Sequence, residues 1–487
     1  MLYYAVMENN RLSRRHFFYG ALLTGAIPAA GFGSTPSLRS LGWKSPNEKL
    51  NIAAIGAGGR AETNIAGVES ENIVAFADPD SQRAANMFSW YPDIPKYKDY
   101  RVMLDKEDKN IDAVLITIPD HMHGVAAMAC MERGKHVYLE KPLTRTIWEA
   151  RKLVEAAKKY GVATQMGNQG YSSNGERVTS EIIWSGEIGN VTEVHAWTDR
   201  PIWPQGITSL PPEDKIPDTL DWDLWLGCAE PRPFSTAYAP FNWRGWYDFG
   251  CGALGDIACH VLGGPNMGLR LGAPTSVEGI KKEGKNQYTF PTAEVVRYDF
   301  PARGSMPPLK IFWYSAAKGP MYRPPGIPED EQLIPDMNFT GTTTSKKAPA
   351  KTPAAGTPMS RTATASRMRD TNGCIYVGDK GYMSASNYGE TYQLLPAERM
   401  KDFQPPPQLL TRSPGHYRDW LRACKSGDPA CSNFSVSGPF SELVLLGVIA
   451  TRVDGKLEWD PAKMRFTNNE EANKYLVPTF RKGWGMA

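Results

Sequence analysis

The sequence predicts two halves of different class. The N-terminal half is α/β, a doubly wound parallel sheet, and the C-terminal half is α+β with a large open, mostly antiparallel sheet. Three observations predict this. Short, near-continuous apolar runs alternate with helical patterns from residue 50 to 166, a Gly-x-Gly-x-x-Ala turn follows the first run, and beyond about Gly170 the strand-like runs lengthen and alternate apolar with polar.

The expected strands of the first half are 50–55, 73–77, 113–118, 137–139 and 162–166, with helical spacing over 124–133 and 147–159. Runs this short and this apolar are those of strands buried on both faces of a parallel sheet. In the second half, 191–198, 293–300 and 310–314 read as half-buried strands, and 416–425 and 441–452 as helices. The expected boundaries are 48–170 for the first domain and 171–487 for the second, whose C-terminal helices are free to pack back on the first. Residues 342–369, rich in Thr, Ala, Pro, Ser and Lys, read as a mobile surface insertion.

At 487 residues, 41% hydrophobic and 22% charged, the chain has the composition of a folded protein of two or three domains. A net charge of +3 without a basic stripe argues against nucleic acid as a partner. The seven cysteines lack CxxC spacing and give no zinc motif; a Cys424–Cys431 bridge is open to an oxidising compartment. Arg14-Arg15 precedes an uncharged run, 17–30, too short to span a bilayer. This is the twin-arginine export pattern, so residues 1–34 are expected to be a signal peptide and the protein periplasmic or otherwise exported, with no membrane span after processing. An anchor or a disordered leader is the alternative.

Ile55-Gly56-Ala57-Gly58-Gly59-Arg60-Ala61 follows the first strand and opens a helix, the A-ending dinucleotide fingerprint of a Rossmann fold. Gly56 permits the tight turn, Gly58 the approach of a pyrophosphate, and Ala61 close helix packing. Asp78 ends the second strand 20 positions after Gly58, where a partner for the ribose 2′-hydroxyl belongs. Its charge would repel a 2′-phosphate, so NAD is expected over NADP, a preference that Arg60 and Arg83 weaken. Gly59, Arg60 and Arg83 join Gly56, Gly58 and Asp78 as candidate cofactor residues.

Asp78, the loop Thr117-Ile118-Pro119-Asp120-His121-Met122-His123, Glu140-Lys141-Pro142 and Gly255-Asp256-Ile257-Ala258-Cys259-His260 follow in this order. In that order and spacing the chain resembles the Gfo/Idh/MocA oxidoreductases, over nearly all of 47–484. Glu140-Lys141-Pro142 ends a parallel strand, where ligands sit in such sheets. Oxidising an alcohol needs a base, and a partly desolvated Lys141 beside a cationic nicotinamide would have its pKa lowered toward neutrality; a surface turn is the plain alternative. Asp256 and His260, spaced i, i+4, share one helix face. They read either as an N-cap aspartate with a core histidine or as a hydroxyl-binding pair, and the resemblance implies the second, with His260 as acid/base. Pro119, His121 and His123 are expected to shape the cofactor pocket, with no acidic or Cys cluster to complete a metal site. The resemblance makes Asn168 and Gln169 cofactor or substrate contacts; a polar turn is the alternative.

Six tryptophans, Trp197, Trp203, Trp222, Trp225, Trp243 and Trp246, fall within 50 residues, interleaved with Arg200, Asp223, Arg244 and Asp248. Sugar rings stack on such faces while charged groups bind their hydroxyls, although core or interface is the commoner fate of tryptophan. Trp243, Arg244 and Trp246 are placed nearest the substrate. The expectation is therefore an NAD-dependent oxidoreductase acting on a ring hydroxyl of a sugar or glycoside. A glycosidase using transient oxidation with retained NAD and a non-catalytic sugar- or nucleotide-binding protein are the alternatives. An open sheet face would suit a homo-oligomer.

Overall fold

In the computed structural model, residues 48–334 and 372–486 are described; the expected signal peptide and the 342–369 insertion lie outside them. Strands β1 (Asn51–Ile55), β2 (Asn72–Ala77), β3 (Lys96–Tyr97), β4 (Ala113–Ile116), β5 (His136–Leu139) and β6 (Thr164–Met166) form a parallel sheet in the order β3-β2-β1-β4-β5-β6. Ala53, Val114, Val137 and Met166 are fully buried in one face, and Ile52, Ala54, Leu115 and Tyr138 in the other, so both faces are covered. The order reverses between β1 and β4, the place where an open α/β sheet opens a crevice at its carboxyl edge.

The helix Ile147–Tyr160 shows how local chemistry fixes the segment after Lys141. Thr146 and Glu149 form a capping box, Ile147, Ala150 and Leu153 face the core, and Gly161 ends the helix at φ 63°.

The second sheet holds β7 (Val191–Trp197), β8 (Ser276–Glu283), β9 (Ala293–Phe300), β10 (Leu309–Tyr314), β11 (Gly373–Gly378), β12 (Gly381–Ser386), β13 (Tyr392–Leu395), β14 (Lys456–Asp460) and β15 (Arg465–Phe466). Its order is β13-β12-β11-β7-β10-β9-β8-β14-β15, and every pair is antiparallel except β7 with β10. In β9, buried Val296, Tyr298 and Phe300 alternate with half-buried Val295, Arg297 and Asp299, the signature of a sheet covered on one face.

The helix Phe434–Ala450 joins the two sheets. It is apolar all round, as a helix buried on every side must be, and it packs on Ile147–Tyr160, on the helix Gly252–Val261 and on β6, β8 and β9. It begins seven residues before the expected start because Asn433 caps it, its side chain accepting from the Ser435 N–H, and Pro439 lies within its opening turns. Leu446→Ala here would remove about 2–5 kcal/mol of stability. The helix His416–Ser426 packs on the first sheet, with Trp420, Leu421 and Cys424 in one cluster with Ile52, Leu115 and Tyr138. All seven cysteines are free, so the Cys424–Cys431 bridge is not formed; the Cys431 sulfur instead lies 3.0 Å from the Ser172 hydroxyl.

Candidate active site

A cleft of about 380 Å³ runs along the carboxyl edge of the first sheet, from Gly56, Gly58 and Asp78 to Lys141, Asp256 and His260. At its first end Gly56 leaves β1 at φ 84° and its N–H donates to Ala77 O at 2.8 Å. A Cβ at Gly56 would stand 2.1 Å from Thr117 O, and one at Gly58 would stand 2.2 Å from Arg83 O. Gly56→Ala therefore combines backbone strain with a clash, and a loss of about 3 kcal/mol or more is expected in denaturant unfolding. Gly59 occupies the N-cap of Arg60–Ala66 at φ 63° with no side chain capping that end. Asp78 accepts from the backbone N–H groups of Ala57 (2.8 Å) and Asp80 (2.9 Å), and burial raises its carboxyl to about 6. Arg60 and Arg83 also line this end.

A backbone clasp crosses beside Asp78. Asp221 N–H donates to Pro79 O at 2.9 Å and Ser81 N–H to Thr219 O at 3.0 Å. Nearby Arg481 pairs with Asp223, and the Arg101 guanidinium lies 3.7 Å over the Trp484 ring. Leu224 and Trp484 line the cleft at this point.

The other end is built from charge. Lys141 follows β5, joined to Pro142 by a cis bond, and its Nζ donates to Asp256 Oδ1 at 2.5 Å and to Asp256 O at 2.9 Å. Arg244 reaches the same Oδ1 at 2.9 Å and lies 3.6 Å from Asp120 Oδ1. Burial alone would raise the Asp256 carboxyl, but Arg244 and Lys141 outweigh it and hold it well below the usual carboxylate range. Burial raises Asp120 despite the nearby Arg244 charge. His260 lies one turn beyond Asp256 on the wholly buried helix Gly252–Val261. Burial first, and the Lys141 charge second, hold it well below the ordinary histidine value, so its ring is neutral at pH 7. Glu140 gathers Asn64 Nδ2 (3.0 Å), Gln169 Nε2 (3.2 Å) and Arg60 Nε (3.4 Å), fixing the floor between the two ends.

Residues 50–168 match the family model described as oxidoreductase family, NAD-binding Rossmann fold, and residues 181–272 match that of the oxidoreductase family, C-terminal alpha/beta domain. Both models are those of Gfo/Idh/MocA oxidoreductases, and these two stretches are similar to that family. Among curated relatives, a glycosyl hydrolase family 109 protein of Solibacter usitatus is 28% identical over 200 residues, 38% of this chain and 45% of that protein. Inositol 2-dehydrogenase of Salmonella typhimurium is 32% identical over 154 residues, 30% of this chain and 44% of that one. Levoglucosan dehydrogenase of Pseudarthrobacter phenanthrenivorans is 28% identical over 192 residues, 39% and 40% respectively. The chain thus spans less than half the length of these relatives. A levoglucosan dehydrogenase solved with NADH and levoglucosan shares the fold at TM-score 0.52 and 16% identity, covering 84% of this chain and 99% of that one.

The cleft is lined by Pro119, Glu140, Lys141, Gln169, Trp243 and Arg244, together with Asp256 and His260. Five expected site residues are not in its lining: Gly59, at the N-cap of Arg60–Ala66 beside it, and four that lie elsewhere. Trp246 is 1% exposed in a cluster with Trp222, Trp225, Tyr238 and Phe249, its indole N–H spent on Ala237 O, so it is core and not a sugar platform. His121 is wedged between Trp225 and Phe249 with Nε2 facing Trp225 O and Leu226 O, both at 3.2 Å; it ties the β4 loop to the second half. His123 bridges Pro142 O (2.7 Å) and Ile118 O (2.9 Å), and so supports the cleft from behind. The Asn168 side chain turns inward to accept from the Ser432 hydroxyl at 2.6 Å. Conversely, Tyr388, Phe241 and Trp484 line the cleft without having been singled out, and so does Arg200, one of the charges interleaved with the tryptophans. Tyr388, from the turn between β12 and β13, sets its ring 4.6 Å from that of His260. Gly170 makes room for it, since a Cβ there would stand 2.5 Å from Tyr388 O.

Proposed function

We propose that the chain is an NAD-dependent oxidoreductase acting on a ring hydroxyl of a sugar or glycoside. One observation carries the reading: Lys141, Arg244, Asp256 and His260 converge at one end of a cleft whose other end is the glycine turn and Asp78. Gly56, Gly58 and the Asp78 carboxylate would hold the dinucleotide, whose bound form supplies the hydride acceptor. The neutral His260 ring takes the hydroxyl proton. Lys141 Nζ, held by Asp256, donates to the same oxygen, and Arg244 over Trp243 orients a neighbouring hydroxyl. The test is NADH formation against cyclic polyols, free sugars and methyl and p-nitrophenyl glycosides. Turnover of at least one is expected; bound NAD with no turnover on any would leave a non-catalytic binding protein.

NAD is preferred over NADP in this reading because a 2′-phosphate would meet the Asp78 carboxylate. The ribose hydroxyls donate to the ionised form, so NAD affinity is expected to fall as pH drops through about 6. If only the ionised form binds, the Kd at pH 5 is about tenfold that at pH 7.5, and Asp78→Asn flattens the profile. A flat calorimetric Kd in the unaltered protein would remove Asp78 from the contact.

A second reading, net glycoside cleavage with NAD regenerated at each turnover, is favoured by the clasp between 79–81 and 219–221. Cofactor exchange would have to open its backbone hydrogen bonds and the Arg481–Asp223 pair. Release of p-nitrophenol without net NADH supports it, and stoichiometric NADH excludes it. Export of the folded, loaded protein by the twin-arginine route and pairing of the open sheet face with a second copy belong to the same proposal.

A further inference from the structure

Away from the cleft, a small cavity lies between the segment that follows Lys141–Pro142 and the segment that leads into the helix Gly252–Val261. Arg145, Thr146, Tyr247, Phe290, Arg452 and Tyr475 are among its walls, and it has about 20 Å³ of free space. That is room for one water-sized body.

Its polar walls carry two guanidinium groups and the hydroxyl of Tyr247. Arg145 spends one Nη on Tyr247 O at 3.2 Å, but among the described residues its buried Nε has no partner, and neither has the Tyr247 hydroxyl, in a residue 4% exposed. The Arg452 guanidinium lies 4.1 Å from the Tyr247 ring and 3.7 Å from the Tyr475 ring. Both arginines are half-buried, neither has a carboxylate within ion-pair distance among the described residues, and Asp248 acts on Arg452 only at longer range. Burial holds Arg452 below its ordinary value, and the Arg145 charge acts in the same direction, as two cations sharing one recess must.

Buried charges are paired, and buried donors find acceptors, because leaving either unmet is costly. A water would satisfy one or two donors and neutralise nothing. A sulfate, phosphate or carboxylate is too large for the space. We propose that this cavity is a binding site for a single monoatomic anion of the chloride class. The anion accepts from Arg145 Nε–H and the Tyr247 hydroxyl and offsets the Arg452 charge. Bound there, it pins the chain four residues after Lys141 to the chain nine residues before Asp256, and so stiffens the approach to the two halves of the reactive pair.

The test uses the full chain with whatever cofactor it retains. Crystals grown in sodium bromide are expected to show an anomalous bromide peak in this cavity. Thermal melting at constant ionic strength is expected to rise saturably by about 2 °C or more in chloride or bromide over gluconate. Arg452→Met should abolish that difference; should it fail to fold, Tyr247→Phe, which deletes only a hydroxyl, should raise the half-saturating halide concentration about tenfold. Water alone in the cavity, or equal melting in gluconate and chloride, overturns the proposal.

Discussion

Lys141→Met is expected to lower kcat by about 10²- to 10⁴-fold on any substrate the unaltered protein turns over, while NAD binding stays within a few-fold. The side chain is nearly as long, so the space is kept and only the donor is lost. Nζ makes two contacts, both to Asp256, and is 12% exposed, so little of the lost rate can be recovered from solvent. Binding calorimetry beside initial rates separates the two effects. A kcat within threefold of the unaltered protein would remove Lys141 from the chemistry.

Asp256→Asn is expected to have the largest combined effect on stability and rate. In the native site one carboxylate oxygen meets both Arg244 and Lys141. An amide cannot balance them, so two like charges remain buried and face each other. Breaking a buried pair of this kind costs about 3–5 kcal/mol. The linkage follows from the depressed carboxyl. Its stabilisation is present in full above the unfolded value, about pH 4, and is lost only as pH falls through the lower folded value. At pH 7 the variant should therefore show the whole deficit, together with a fall in kcat. Arg244→Met in the Asp256→Asn background should restore part of the stability by removing one of the two cations, without restoring rate. An Asp256→Asn protein as stable as the original would show that the cluster is solvated.

The first sheet was readable because strands buried on both faces need unbroken apolar runs, and because Gly56 and Asp78 mark the end of the first strand and the end of the second. The second sheet was readable in part: β7, β9 and β10 stand where strands were expected, and β9 and β10 alternate, whereas β11 is buried or half-buried along its length and carries no period to detect. The i, i+4 spacing placed Asp256 and His260 on one helix face, and only the family resemblance singled them out as a site pair. Their partner Tyr388 was not legible, since it arrives on a hairpin 128 residues later and nothing local to Asn387–Tyr388–Gly389 marks it as facing a histidine. The tryptophans misled in one case. Trp243 and Trp246 sit three apart in one buried cluster, but only Trp243 reaches the cleft wall, under Arg244. His121 and His123 look like ligands in sequence because their carbonyl partners, at 118, 142, 225 and 226, are set by tertiary packing.

The most direct test of the account is to purify the protein without added nucleotide, denature it, and assay the supernatant for NAD(H). The account predicts NAD(H), not NADP(H), at close to one per chain, held by the glycine turn and Asp78 beneath the clasp at 219–221. No released nucleotide, together with no binding of added NAD at micromolar concentration, would contradict it.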